Sequence, residues 1–284
     1  MSDVAISVVV LVKDHEQHIR PCLDTLHWAD EVVLVNDNSL DQTLAIARTY
    51  PNVRIVDRAL NGDWSAQMNF GIEQAKGDWI LQMDVDERVP DDLASELQLL
   101  SQNAEIAAVE MLILGTFLGK LRGGSPTDAT VVRMVRKNCG LFDARRVHAR
   151  IQVKGKVVRA KYLLVHLGPF PDAHGYWVKN AFYAEVEAEH HARIGRHMPD
   201  TLAAGWITYV FKPCGIFLQK YFLQGGWREG LYGLHYAMAR AIGYYMVYLA
   251  SWERQRGAVD EIEAYCKLHG IPHLDKNPSD TLDS

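Results

Sequence analysis

Paired cysteines are missing from this 284-residue chain: Cys22, Cys139, Cys214 and Cys266 stand apart, with no disulfide or zinc-ligand spacing. That scatter argues against a disulfide framework or a zinc cluster and for a reducing compartment. A secretory n-region is missing too, since Asp3 stands at the start and a strand-like run begins at once, so a cytosolic location is expected. No Gly-x-Gly-x-x-Gly follows that first run, and no Gly-Lys-Ser/Thr occurs, which excludes dinucleotide and ATP cradles of those kinds. A clean apolar span is also lacking. Residues 230–250 are long enough to cross a bilayer, but His235, Arg240 and repeated glycines and tyrosines interrupt them.

What is present is ordinary globular composition, 48% hydrophobic and 23% charged. The net charge of −5 is unevenly spread. Residues 1–129 carry 9 Lys/Arg against 21 Asp/Glu, residues 130–161 carry 10 against 1, and residues 162–284 carry 11 against 13. The basic block suggests an anionic partner such as a diphosphate, a phosphorylated glycan or a lipid headgroup, or else a solvated pair of basic strands. It has few aromatics to stack on bases and no recognition helix, so no nucleic-acid partner is expected.

The chain opens with Val4 to Val12, nearly all apolar and β-branched, as expected of a parallel strand covered on both faces. A helix follows with Ile19, Cys22, Leu23 and Leu26 at helical spacing. Glu31–Val35 reads as the second strand. Ser39 with Gln42 fits a capping box before a helix carrying Leu44, Ile46 and Ala47. Val53–Val56 is the third strand and Trp64–Ala75 a helix. The fourth strand ends at Asp84. Four βα units predict a doubly wound, mainly parallel α/β sheet. In such sheets ligands sit beyond the strands' carboxyl ends, where Lys13-Asp14, Asn36-Asp37 and Asp84-Val85-Asp86 all fall.

Gly77 to Arg88 is the stretch that organises the rest: a short apolar run ending in Asp84, Asp86 and Glu87. Strand alternation would put Asp84 and Asp86 on one face with Val85 turned away. Adjacent carboxylates repel unless a cation shares them, and oxygen ligands suit Mg2+ or Mn2+. The alternative is a solvated acidic turn before a helix whose amino end Asp91 and Asp92 would serve.

Ser7-Val8-Val9-Val10 with Lys13-Asp14, Val35 to Thr43, Gln67-Met68-Asn69-Phe70-Gly71, and Ala75 to Trp79 running into Asp84-Val85-Asp86-Glu87 together resemble the family 2 glycosyltransferases. The resemblance is to the bacterial branch that adds glucose or a similar sugar to the lipopolysaccharide inner core. It is dense over about the first 90 residues. It implies the A-type glycosyltransferase fold, a nucleotide-sugar donor (a UDP-sugar first of all), Mn2+ or Mg2+, and inversion at the anomeric carbon. By position, Asp37 resembles the carboxylate on the base or ribose, and Lys13 and Asp14 border the same site. Asp84 would lie by the ribose and metal. Asp86 would ligate the metal and act in catalysis, and His166 would complete the metal's coordination or be a surface or hydrogen-bonded histidine. Gln67 and Asn69 would touch sugar or diphosphate, or be structural helix amides.

Relatives commonly carry His-Glu where this chain has His148-Ala149, and that glutamate is the usual base. Asp143 is the expected substitute, Asp172 the next. An acceptor that is already an anion, such as a polyprenyl phosphate, would need no base. A sugar-1-phosphate nucleotidyltransferase and a non-catalytic membrane glycan-binding module are the readings from other classes.

Beyond residue 100, 107–114 and 130–136 read as strands, Gly115 to Asp128 as a mobile loop on the acceptor side, and His174–Ile194 as a helix with His190 and His191 on its surface. The expected divisions are 1–125 for the nucleotide-sugar half, 126–200 for the acceptor half, 201–270 for an aromatic helical extension and 271–284 for a frayed tail. Trp206–Leu223 and Trp227–Trp252 suggest an interfacial helix pair on an anionic membrane, or packing on the sheet or a second subunit. The expected setting is therefore peripheral, on the inner face of the plasma membrane, with a lipid-linked or lipopolysaccharide glycan as acceptor.

Overall fold

A computed structural model describes residues 4–123, 130–143, 151–168, 172–256 and 268–269. The chain divides into two compact units, Met1–Val178 and Lys179–Ser284.

The first unit begins with the expected alternation: β1 (Ile6–Val12), α1 (Glu16–Asp24), β2 (Glu31–Asn36), α2 (Thr43–Ala47), β3 (Val53–Asp57), α3 (Trp64–Gln74) and β4 (Trp79–Asp84). Then come β5 (Glu87–Arg88), α4 (Asp91–Ser101), β6 (Ile106–Met111), β7 (Ile113–Phe117), β8 (Lys120–Gly123), β9 (Val131–Arg136), β10 (Gly140–Phe142), β11 (Ile151–Val153), β12 (Lys156–Arg159) and β13 (Leu164–His166). The main sheet has the order β12-β6-β9-β4-β1-β2-β3. β1 to β4 are mutually parallel where they pair, and β9 runs antiparallel between β4 and β6. The α/β fold is thus doubly wound and mainly parallel.

Alternation along β1 explains the two covered faces. Val8 and Val10 join Ile19, Leu23, Leu81, Met83, Leu93 and Leu97 in one core, while Val9 joins Val33, Val35, Ile72, Ile80 and Val135 in the other. On the second face α3 comes so close that a Cβ on Gly71 would lie 2.3 Å from Val9 Cγ1. Only glycine permits that approach. Trp79, wholly buried in the first core, donates from Nε1 to Ser101 O (3.1 Å), and the Arg136 guanidinium sits 4.7 Å from its ring centroid.

Several local expectations need correction. Ser39 and Gln42 form no capping box. α2 starts at Thr43, whose N–H donates to Asp41 Oδ1 (2.9 Å), while the Ser39 hydroxyl accepts from Asp14 N (3.1 Å). The cross-loop bond captures the serine that local pattern assigned to the helix. Residues 107–114 are not one strand either: the run breaks at Leu112, and β7 enters a second sheet ordered β5-β13-β7-β8. Gly115 to Gly123, expected as loop, belongs mostly to the β7–β8 hairpin, turned through Leu118 (φ 47°) and Gly119 (φ 75°). A two-residue turn with both φ values positive matches the twist of paired strands. Residues 124–128, the remainder of that segment, lie outside the described residues.

Most of the described cations of the basic block are engaged with the protein itself. Arg133 pairs with carboxylates, Arg136 and Lys137 cap backbone carbonyls, and Lys156 and Arg159 meet Glu105 and Glu110. Arg145, Arg146 and Arg150 lie outside the described residues.

In the second unit α5 (Ala173–Arg193) ends in Lys179–Arg193. α6 (Leu202–Gly205), a π-helical stretch (Trp206–Phe211), α7 (Lys212–Leu218) and a second π stretch (Gln219–Leu223) follow one another directly, and α8 (Leu231–Arg256) closes the unit. His191 is not on the surface as expected. It is buried, with Nδ1 2.8 Å from Ser251 Oγ and Nε2 2.9 Å from Arg196 NH1. Because the Ser251 hydroxyl donates to Val247 O and Arg196 can only donate, the ring is neutral with its proton on Nδ1. Among the described residues no helix is long and apolar enough to cross a membrane.

Candidate active site

The carboxyl ends of β1, β2 and β3 are stitched together by short polar side chains. Asp14, at the left-handed φ of 50°, accepts from Leu40 N at 2.7 Å, and His15 N donates to Thr43 Oγ1 at 2.8 Å. Asp37 Oδ1 accepts from Leu60 N at 2.9 Å, and its Oδ2 is 3.6 Å from Lys13 Nζ. Buried Asn36 donates to Asp57 Oδ1 (2.7 Å) and accepts from Ser39 N (2.9 Å). Lys13, Asp14 and Asp37 therefore lie together beyond the carboxyl ends of β1 and β2.

At β4 the strand stops at Asp84. Val85 turns into the core, and Asp86 and Glu87 take different partners. The Asp86 carbonyl accepts from Leu167 N (3.0 Å), and its Oδ2 lies 3.1 Å from His166 Nε2. This meeting is made by β5, which pairs antiparallel with β13 and sets His166 opposite Glu87. The bond to Asp86 raises the His166 pKa against the opposing effect of burial.

Glu87 is completely buried. Its Oε2 accepts from Asp84 N (2.9 Å), and its Oε1 is 2.5 Å from Arg133 NH2. Burial pushes its carboxyl up to about 7; Arg133 pulls the other way, and Asp84 adds to the rise. Arg133, only 12% exposed at its side chain, also donates to Gln82 Oε1 (2.7 Å) and Asp84 Oδ2 (3.2 Å). Sequence reading missed it. The available signal was a lone charge inside Val131-Val132-Arg133-Met134-Val135, a strand pattern that buries its residues. Arg133 also weakens the argument from carboxylate repulsion to a metal, since a cation of the protein already shares two of the three acids.

The amides expected at the donor are used internally. Gln67 is buried and donates to Arg58 O at 2.7 Å. Asn69 grips Phe142 at both ends of its backbone unit, donating to Phe142 O (3.1 Å) and accepting from Phe142 N (2.9 Å). That grip fixes the residue before Asp143, whose Oδ2 is 3.4 Å from Gln152 Nε2. Asp172 caps the start of α5 through Gly175 N (2.8 Å). His148 and Ala149 lie outside the described residues.

Among the described residues no three His, Cys, Asp or Glu side chains surround a common point. The nearest approach to a divalent-ion site is Asp86 with His166, a carboxylate oxygen beside an imidazole nitrogen. A mixed oxygen and imidazole set suits Mn2+, and a bound diphosphate would supply further oxygens, so these residues fit such an ion. Asp84, held by Arg133 but still 44% exposed, lies two residues before Asp86.

The sequence model of Glycosyl transferase family 2 matches residues 7–149, which include β1 to β4, the acidic triplet and Asp143. The chain belongs to that family. This glycosyltransferase is 25% identical over 258 residues to the lipopolysaccharide core biosynthesis glycosyltransferase LpsC of Rhizobium meliloti, covering 88% of this chain and 92% of LpsC. It is 29% identical over 236 residues to an uncharacterized glycosyltransferase of Rickettsia typhi, covering 78% and 79%. Among solved structures, a mannosyltransferase of Pyrobaculum calidifontis in complex with GDP-Man and Mn2+ is similar with a TM-score of 0.53 and 15% identity over 90% of this chain and 89% of that one. That likeness agrees with the A-type glycosyltransferase fold.

Proposed function

We propose that this glycosyltransferase moves a sugar from a nucleoside-diphosphate sugar, a UDP-sugar first of all, to a hydroxyl of a lipopolysaccharide-core or related cell-surface glycan, with inversion. The observation that supports the reading is the pairing of Asp86 with His166 just past the carboxyl end of β4, with Asp84 at that strand's end and Asp37 at the end of β2, in a family 2 sheet. The relation to LpsC over nearly the whole of both chains supports the acceptor class.

In this reading Asp37 and Lys13 hold the nucleoside side, and Asp84, Asp86 and His166 hold the diphosphate end together with Mn2+ or Mg2+. When bound, the ion would offset the charge that builds on the leaving diphosphate. Asp143, backed by the Asn69 grip on Phe142, would take the proton of the acceptor hydroxyl as that oxygen attacks the anomeric carbon opposite the departing nucleotide. The engagement of Arg133, Arg136 and Lys137 within the protein favours a hydroxyl over a phosphate acceptor.

The second unit supports a peripheral place on an anionic membrane. Trp206, Phe211, Leu218, Phe222, Trp227 and Leu231 are exposed, and a groove of about 450 Å3 runs between Val210, Pro213, Phe217, Met238 and Ile242. From residue 201 to 252 four cations, Lys212, Lys220, Arg228 and Arg240, stand against Glu229 alone. Binding to anionic vesicles that weakens as salt rises would agree with this surface. Equal binding to neutral vesicles would refute it.

The deciding experiment incubates the protein with UDP- and GDP-sugars, Mn2+ and a truncated lipopolysaccharide core. Release of nucleoside diphosphate with a product of inverted anomeric configuration is expected. Pyrophosphate release would point to a nucleotidyltransferase, no turnover to a binding module, and a retained configuration would refute inversion.

A further inference from the structure

Arg133 is placed by a local irregularity. Between β6 and β9 the register passes from Val109 opposite Met134 to Glu110 opposite Val132, so Arg133 is the extra residue of a β-bulge. Bulges re-aim a side chain and are common beside active sites. Here the guanidinium spans the end of β4, binding Gln82, Asp84 and Glu87, while Asp86, two residues past Asp84, pairs with His166 instead. The triplet is thus divided: two acids on an internal cation, one beside an imidazole.

We propose that Arg133 is a built-in counter-cation that matches the charge at Asp84 and Glu87 without a divalent ion, so that the ion binds firmly at Asp86 and His166 only once the nucleotide sugar arrives. This rests on the metal-dependent reading above. Without nucleotide, Asp84 and Glu87 are already held by the guanidinium, so an ion meets only Asp86 and His166 and binds weakly. The diphosphate then contributes the missing oxygens, and ion and nucleotide bind together. The arrangement keeps the acids folded at one cleft without metal, which three bare carboxylates in a partly buried turn would resist. Arg133 is a positioning residue: it touches the acids, not the reacting atoms.

The test titrates nucleotide-free protein with Mn2+, followed by calorimetry and by the loss of the free-ion electron paramagnetic resonance signal. Arg133→Met should bind Mn2+ about tenfold more tightly than wild type, a discounted figure for deleting one positive charge a few ångströms away at protein-surface dielectric. Arg133→Lys keeps the charge without the fork and should stay within about threefold of wild type. Unchanged or weaker Mn2+ binding by folded Arg133→Met overturns the proposal. If Arg133→Met melts without cation, Mn2+ should restore its thermal transition, and a variant still unfolded in millimolar Mn2+ also overturns it. The wild-type arm separates the two levels. Mn2+ that fails to bind wild type even with UDP removes the metal reading itself, and this proposal with it.

Discussion

Asn69→Ala separates two roles for one amide. Both polar ends of Asn69 are spent on Phe142, at 3.1 and 2.9 Å, so the substitution removes two hydrogen bonds from β10. At about 0.5–1.5 kcal/mol net each, the loss is roughly 1–3 kcal/mol, or a factor of about 5–150 in the closed-to-open ratio of this segment. The β10–β11 ladder and buried Gly140 and Ile151 should keep the hairpin paired, so the opening stays local. Hydrogen exchange at the Phe142 amide should accelerate by that factor. If Asp143 is the base, kcat should fall while KM for the nucleotide sugar changes little. Asn69→Asp is the sharper companion, because it retains an acceptor for Phe142 N but turns a carboxylate oxygen on Phe142 O. It should lose more activity than Asn69→Ala. A raised KM with unaltered kcat and unaltered exchange at Phe142 would refute the reasoning and return Asn69 to the nucleotide-sugar contact that its sequence position suggested.

Asp86→Ala should abolish transfer without unfolding the protein. More than about a tenth of wild-type kcat at saturating Mn2+ would count against its assignment, since Lewis-acid help is worth several kcal/mol. Gly71→Ala forces a Cβ to 2.3 Å from Val9 Cγ1 and should cost about 1–3 kcal/mol, seen as a lowered Tm; an unchanged melt would mean that α3 is free to retreat. Glu31 accepts from Lys76 N, Ser7 Oγ and Arg54 Nε, and although burial alone would raise its pKa, these bonds together hold it below the usual glutamate value. A depressed carboxylate stabilises the fold above its unfolded pKa, and that contribution is lost as pH falls through the folded value. Glu31→Gln should therefore cost about 1–2 kcal/mol in urea unfolding at pH 7 and progressively less below about pH 4.5; an equal deficit at both pH values would contradict it.

The sequence by itself determined which runs are buried and in what order. Val4 to Val12 carries no polar face and so had to lie between two layers, and each βα alternation fixed the next parallel strand. Topology then sent Lys13-Asp14, Asn36-Asp37 and Asp84 to the same edge, because every parallel strand ends on the same side. Local chemistry was less faithful where a side chain had a remote choice: Ser39 fitted a helix cap, yet the loop after β1 took its hydroxyl. His190 and His191 looked alike in sequence, and only the packing against α8 buried one of them. What tertiary structure alone decided is the pairing inside the site. His166 reaches Asp86 across 80 positions, Asn69 reaches Phe142 across 73, and Arg133 reaches Asp84 across 49. Periodicity tells whether a residue is inside or outside, because each residue's direction follows from its own element. It cannot name a partner, because that depends on which strands become neighbours and on register shifts as small as the bulge at Arg133, set by the packing of the whole sheet.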